Sequence, residues 1–142
     1  MQYIADNPGP IVAAFAALLA AGIALYIHRH NKFGAASAAF RAAFADALHR
    51  LEYDLAADPY NILEHSFASH SAAVKEFTKF LSNRQCKRFL DAWETYHCNE
   101  QDHTMHNLAQ YSRARWNNPE DQFVARKKPV KRLERLLSFA KP

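Results

Sequence analysis

The hydrophobic and polar positions divide the chain into one unbroken apolar run followed by a series of apolar stripes at helical spacing. Residues 11–27 read IVAAFAALLAAGIALYI, with no charged or strongly polar side chain. A helix of that length covers about 25 Å, and residues 8–10 and 26–28 extend it toward the roughly 30 Å hydrocarbon thickness of a bilayer. Pro10 suits a first helical turn, where its missing N–H removes no bond. Tyr26 stands where an interfacial aromatic belongs, and His28, Arg29, His30 and Lys32 follow at once. The pattern predicts a membrane-spanning helix over residues 1–30.

Residues 31–34 read as a break. Beyond them, Phe33, Phe40, Phe44, Leu48, Leu51 and Leu55 recur three, four or seven positions apart, with Arg41, Asp46, Arg50 and Asp54 off the stripe. Asp58-Pro59 is a stop-and-restart signal, Asp as N-cap and Pro at the first helical position. A second helix then carries Leu63, Phe67, His70, Val74, Phe77 and Leu81 as a heptad-like seam with a histidine in its middle. Ser82-Asn83 caps a third, whose apolar face is Cys86, Phe89, Leu90, Trp93 and Tyr96. Residues 98–112 continue that helix or begin another, through Met105, Leu108 and Tyr111. Asn117-Asn118-Pro119 is a break, with Glu120 and Asp121 suited to a helix start. Pro129 interrupts again, and Val130, Leu133, Leu136 and Leu137 line one side of a last helix. Helices joined by such short loops pack as antiparallel neighbours. Phenylalanines of the first two bundle helices are expected to meet Trp93 and Tyr96.

The expected fold is therefore all-α: one transmembrane helix, a cytoplasmic bundle of three to five helices centred on residues 31–112, and a basic segment over residues 113–142. Only three glycines occur in 142 residues, which fits long helices and leaves little material for a phosphate-cradling loop.

Charge refines this picture. The net +4 is unevenly spread: residues 33–110 hold seven Lys/Arg against ten Asp/Glu, and residues 111–142 hold nine against three. Basicity thus belongs to the tail. The N-terminal flank of the apolar run carries only Asp6, whereas Arg29 and Lys32 lie on its other side. Positive-inside reasoning then places the N-terminus outside and the bundle in the cytoplasm of a bacterial cell. A cleaved signal peptide would use the small residues at 35–38, but no basic residue precedes the run and a basic cluster separates it from that site. A buried core helix is the other alternative, because seven alanines make the run only moderately hydrophobic. Ala13, Ala17 and Ala21 form a small-residue row through which membrane helices approach closely, so self-association or docking on another membrane protein is a candidate role.

Candidate chemistry is sparse. His97, Cys98, His103 and His106, with Cys86 and Glu100, are zinc-binding residue types, but no known zinc spacing is matched and no metal or other cofactor is expected. Cys86 and Cys98 lack any disulfide framework. His70 on its apolar seam reads as a core histidine, since catalysis requires a second group aimed at it. No Walker, nucleophile-elbow or dinucleotide motif appears, and the chain is not expected to be an enzyme. In the tail, Arg126, Lys127, Lys128, Lys131, Arg132 and Arg135, together with Arg29 and Lys32, are the candidate contacts to the membrane surface or an anionic partner. Nucleic acid, with Trp116 for stacking, is the weakest of the tail's readings.

The arrangement resembles small bacterial bitopic membrane proteins with cytoplasmic helical domains, residues 72–77 and 89–93 being typical of such chains. No residue role transfers from that resemblance. The expected function is a non-enzymatic interaction, scaffold or regulatory module at the inner-membrane face, with the lipid bilayer, a membrane or cytoplasmic protein, or a second copy as partner. The alternatives are a membrane-active effector of the toxin or phage-defence type, oligomerising through the Ala-rich span, and a metal- or nucleic-acid-binding module.

Overall fold

The computed structural model describes residues 9–98, 107–113 and 118–141. Four helices follow in order: α1 (Gly9–Tyr53), α2 (Pro59–Phe77), α3 (Asn83–His97) and α4 (Pro119–Leu137). Single 3₁₀ turns lie at Thr78–Phe80, Leu108–Tyr111 and Ser138–Ala140, and no strand occurs among the described residues. The all-α expectation holds.

The chain divides into two compact units, Met1–Ala35 and Ala36–Pro142. The first is described here from residue 9 and consists of the N-terminal part of α1. Its large side chains, from Ile11 through Phe15, Leu18, Leu19 and Ile23 to Ile27, are all exposed.

α1 does not break at residues 31–34, where a break was expected. The Asn31-Lys32-Phe33-Gly34 sequence is bracketed by alanine-rich helix on both sides, and one glycine in a helix costs only about 1 kcal/mol relative to alanine. That cost is smaller than the cost of nucleating a new helix. The helix instead ends after Tyr53, two residues before Leu55, which is why Leu55 leaves the apolar stripe and is 56% exposed.

The second unit is an antiparallel four-helix arrangement, and ring contacts give its order. Phe40 and Phe44 of α1 meet Phe77 and His70 of α2 respectively, so the two helices run in opposite directions. Phe67 stacks on Trp93 and Phe77 meets Phe89 edge-on, which reverses α3 against α2. Phe139, just past α4, closes on Phe89 at 5.5 Å. Phe40 lies at the centre of this cluster, within 5.5 Å of Phe44, Phe77 and Phe89 ring centroids. Each fully buried aromatic of this kind contributes on the order of 2–3 kcal/mol of transfer free energy.

The local signals at the helix starts work as their residue types require. The Asp58 carboxylate accepts from the Tyr60 N–H at 3.0 Å, ahead of Pro59. Ser82 and Gln85 form a reciprocal capping box at α3, the Ser82 N–H donating to Gln85 Oε1 at 3.1 Å. Pro129, expected to interrupt, lies inside α4. Its fixed φ is helical, so the helix forfeits one backbone bond, and its buried ring is packed in the bundle. Leu133 and Leu136 are fully buried beside it, so the basic C-terminal segment is an integral part of the second unit.

Candidate functional site

Three features of the chain present chemistry: the apolar part of α1, the buried polar groups of the bundle, and the basic stripe of α4.

α1 is long and apolar enough to cross a membrane, and none of its most apolar window is buried. Ala13, Ala17, Ala21 and Gly22 lie exposed along it, and a Cβ built on Gly22 meets nothing within 4 Å. Tyr26 stacks on His30 one turn on, with ring planes 12° apart. Arg29 and Lys32 are exposed at the end of the apolar run. A water-soluble helix of this length normally hides an apolar stripe, and here apolar side chains surround the axis without cover.

Inside the bundle, His70 is fully buried and stacks on Phe44, centroids 4.0 Å apart. Its Nδ1 lies 3.0 Å from the Tyr96 phenol oxygen, and its Nε2 has no hydrogen-bond partner. Burial pushes the imidazole pKa down to about 4, opposed in smaller part by the backbone of Ala43. The ring is therefore neutral at physiological pH, and its Nδ1 shares a hydrogen bond with the Tyr96 hydroxyl. Burial raises the Tyr96 phenol well above its ordinary value, with a smaller push from Tyr111. Tyr111 donates its own hydroxyl to the Tyr96 carbonyl at 2.6 Å. Among the described residues no carboxylate hydrogen-bonds to His70, and its ring contacts with Phe44 and Tyr96 give it the chemistry of a packing and orientation element.

Arg126, expected on an anion-facing surface, is buried instead, because the end of α1 consumes its donors. Its Nε donates to the Leu51 carbonyl at 2.6 Å, and its Nη atoms donate to Ala57 at 2.9 Å, Arg50 at 3.0 Å and Asp54. Helix C-termini leave carbonyls without partners, and a guanidinium fork suits several of them at once. Arg113 completes the clasp: its guanidinium donates to the Leu55 and Ala56 carbonyls, and its backbone N–H to Asp58 at 3.2 Å. The turn between α1 and α2 is thus held by two arginines from the far end of the sequence. Burial, then the neighbouring Arg113 charge, lower the Arg126 pKa. Lys127 remains exposed, its ammonium 4.6 Å above the Phe123 ring, beside a hollow of about 190 Å³ lined by Leu51, Leu55, Phe123 and Val130.

Lys128, Lys131, Arg132 and Arg135 occupy positions i, i+3, i+4 and i+7 of α4 and therefore share one face. They line a groove of about 580 Å³ with Thr95 of α3 and Glu134. Arg132 donates to Gln110 Oε1 at 3.0 Å and to the Tyr111 hydroxyl at 2.8 Å, and Arg135 approaches the Asp91 carboxylate at 3.5 Å. No family model, curated protein or solved structure significantly matches the chain. What the site does must be read from its own chemistry.

Of the metal candidates, the described residues include His97, Cys98 and Cys86. His97 is half-buried against Trp93, its Nδ1 2.6 Å from the Trp93 carbonyl, and Cys98 is buried. His103, His106 and Glu100 lie outside the described residues. Among the described residues no three His, Cys, Asp or Glu side chains gather as a metal site would require.

Proposed function

We propose that the chain is a non-enzymatic, single-pass inner-membrane protein whose cytoplasmic helical bundle is an interaction or regulatory module at the membrane face. The observation that carries this reading is the uncovered apolar helix over residues 11–27. Burying its apolar surface in water-free surroundings is the largest favourable term open to it, and a bilayer supplies them over the matching thickness. The signal-peptide alternative is disfavoured by the missing basic flank before the run. The core-helix alternative is disfavoured by the window's complete exposure. Arg29 and Lys32 favour the orientation with the bundle inside the cell.

A binding role rather than catalysis is supported by what the buried polar groups touch. His70 is neutral and enclosed, and Arg126 is occupied by backbone carbonyls. Among the described residues, the surface open to partners includes the basic groove of α4 and the Phe123 hollow.

Expression of the full chain beside a version lacking residues 1–30, with membrane potential, growth and in-cell photo-cross-linking as readouts, tests the proposal. Unchanged potential and growth with both chains, and a discrete cross-linked species that depends on the span, are expected. Depolarisation or growth arrest that requires the span would instead identify a membrane-active effector.

A further inference from the structure

The basic stripe of α4 has a more definite assignment than a solvated face. Resting on the membrane reading above, we infer that the groove between α3 and α4 binds the phosphate headgroups of anionic phospholipid. Lys128, Lys131 and Arg135 are exposed along it and Arg132 is half-buried at its base, against Glu134 and the Asp91 carboxylate. Among the described lining residues positive charge therefore predominates, and Asp91 holds Arg135 only at 3.5 Å, a contact that a phosphate can replace.

The fold also decides how such a lipid is met. The sequence pattern of α4 suits a helix lying in the bilayer surface with its leucines inserted. That mode is closed, because Leu133 and Leu136 are fully buried in the bundle. The contact must be made by charge and hydrogen bonding to headgroups, without acyl-chain insertion. Arg132 is fixed for this work, its guanidinium braced by Gln110 and Tyr111 and stacked 5.6 Å over the Tyr111 ring. Arg132 donates to Tyr111, and Tyr111 donates to the Tyr96 carbonyl, so the groove floor is tied to the core. Among the described lining residues none is aromatic, and the Tyr111 ring at the floor lies under the Arg132 guanidinium, which does not favour a single-stranded nucleic-acid channel. A chain tethered through residues 11–27 keeps the groove supplied with headgroups at high effective concentration.

The test titrates the full chain, in neutral detergent, with dihexanoyl-phosphatidylglycerol, dihexanoyl-phosphatidylcholine and inorganic phosphate. Saturable, salt-sensitive binding of the glycerol lipid is expected, with the choline lipid at least about tenfold weaker. Lys131→Gln with Arg135→Gln lowers the affinity for the anionic lipid by about twenty-fivefold, at about fivefold per basic charge. Arg41→Gln with Arg84→Gln, two exposed arginines outside the groove, leaves that affinity unchanged. An unchanged thermal melt of the groove variant confirms that its fold is intact. Equal affinity for both lipids, or anionic-lipid binding that survives the groove variant, overturns the inference. Inorganic phosphate binding as tightly, with the same sensitivity to the variant, moves the site to a soluble anion and also overturns it. Because no bilayer is needed, the result is independent of membrane insertion, which alkaline extraction of the same chain tests separately.

Discussion

The Arg126 Nε lies 2.6 Å from the Leu51 carbonyl oxygen, a contact that joins positions 75 residues apart. It makes a C-cap for α1 out of a side chain on the last helix. With Arg113, it replaces the glycine that more often ends a helix, in a chain that has few glycines. Replacing Arg126 by alanine strips four carbonyls of a charged donor, and a loss of about 2–4 kcal/mol in the stability of the bundle is expected. Lysine at this position recovers only a minor part, since an ammonium cannot reproduce the planar fork. Urea midpoints of the three full-length chains in detergent check this. Equal midpoints for Arg126→Ala and the parent chain would refute the clasp.

His70 makes the bundle sensitive to acid. In the unfolded chain its imidazole takes up a proton below its ordinary value of 6.5, whereas in the folded chain it stays neutral down to about 4. Between those values the unfolded state binds more protons, so stability is complete above the higher value and falls as pH drops toward the lower one. The loss attributable to this residue is on the order of 3 kcal/mol when complete. Stability curves for the parent chain and His70→Phe, measured from pH 7.5 down to 4, are expected to diverge progressively below about pH 6.5. Parallel curves would show that the ring is not buried neutral.

Removing the Tyr96 hydroxyl leaves both ring nitrogens of His70 unpaired. Tyr96→Phe is expected to cost about 1–3 kcal/mol, the penalty for a buried polar group that loses its partner. Tyr96→Phe combined with His70→Phe should cost less than the two changes separately, because the pair acts as a unit. Additive losses in a double-mutant cycle would show that the 3.0 Å contact carries no coupling.

Phe40 tests the aromatic centre. Its ring touches α1, α2 and α3 neighbours together, and Phe40→Ala is expected to cost about 3–5 kcal/mol. A loss below about 1 kcal/mol would place the core elsewhere.

Features set by local periodicity and capping chemistry were legible in the sequence. Of the α2 seam, Leu63, His70, Val74 and Phe77 are buried as the spacing requires, whereas Phe67 is half-buried and Leu81 lies beyond the end of the helix; Asp58-Pro59 and Ser82 mark true helix starts. The meeting of Phe67 with Trp93 follows from the same stripes. What was not legible depends on distant partners. Arg126 sits in a run of basic residues and looks like its neighbours, and only the approach of the α1 terminus makes it a buried cap. Tyr96 reads as one more apolar-face residue until His70, 26 positions away, is placed against its hydroxyl. The readings of residues 31–34 and Pro129 as breaks failed for an energetic reason. A single unfavourable residue costs less than ending a helix whose neighbours on both sides favour it.

The central claim is that residues 11–27 span a membrane, and alkaline carbonate extraction of cell membranes containing the full chain tests it most directly. The account predicts that the parent chain stays in the membrane pellet. It also predicts that Leu18→Arg with Leu19→Arg, each costing about 3 kcal/mol at mid-span, moves the chain to the supernatant. Release of the parent chain by carbonate would contradict the account.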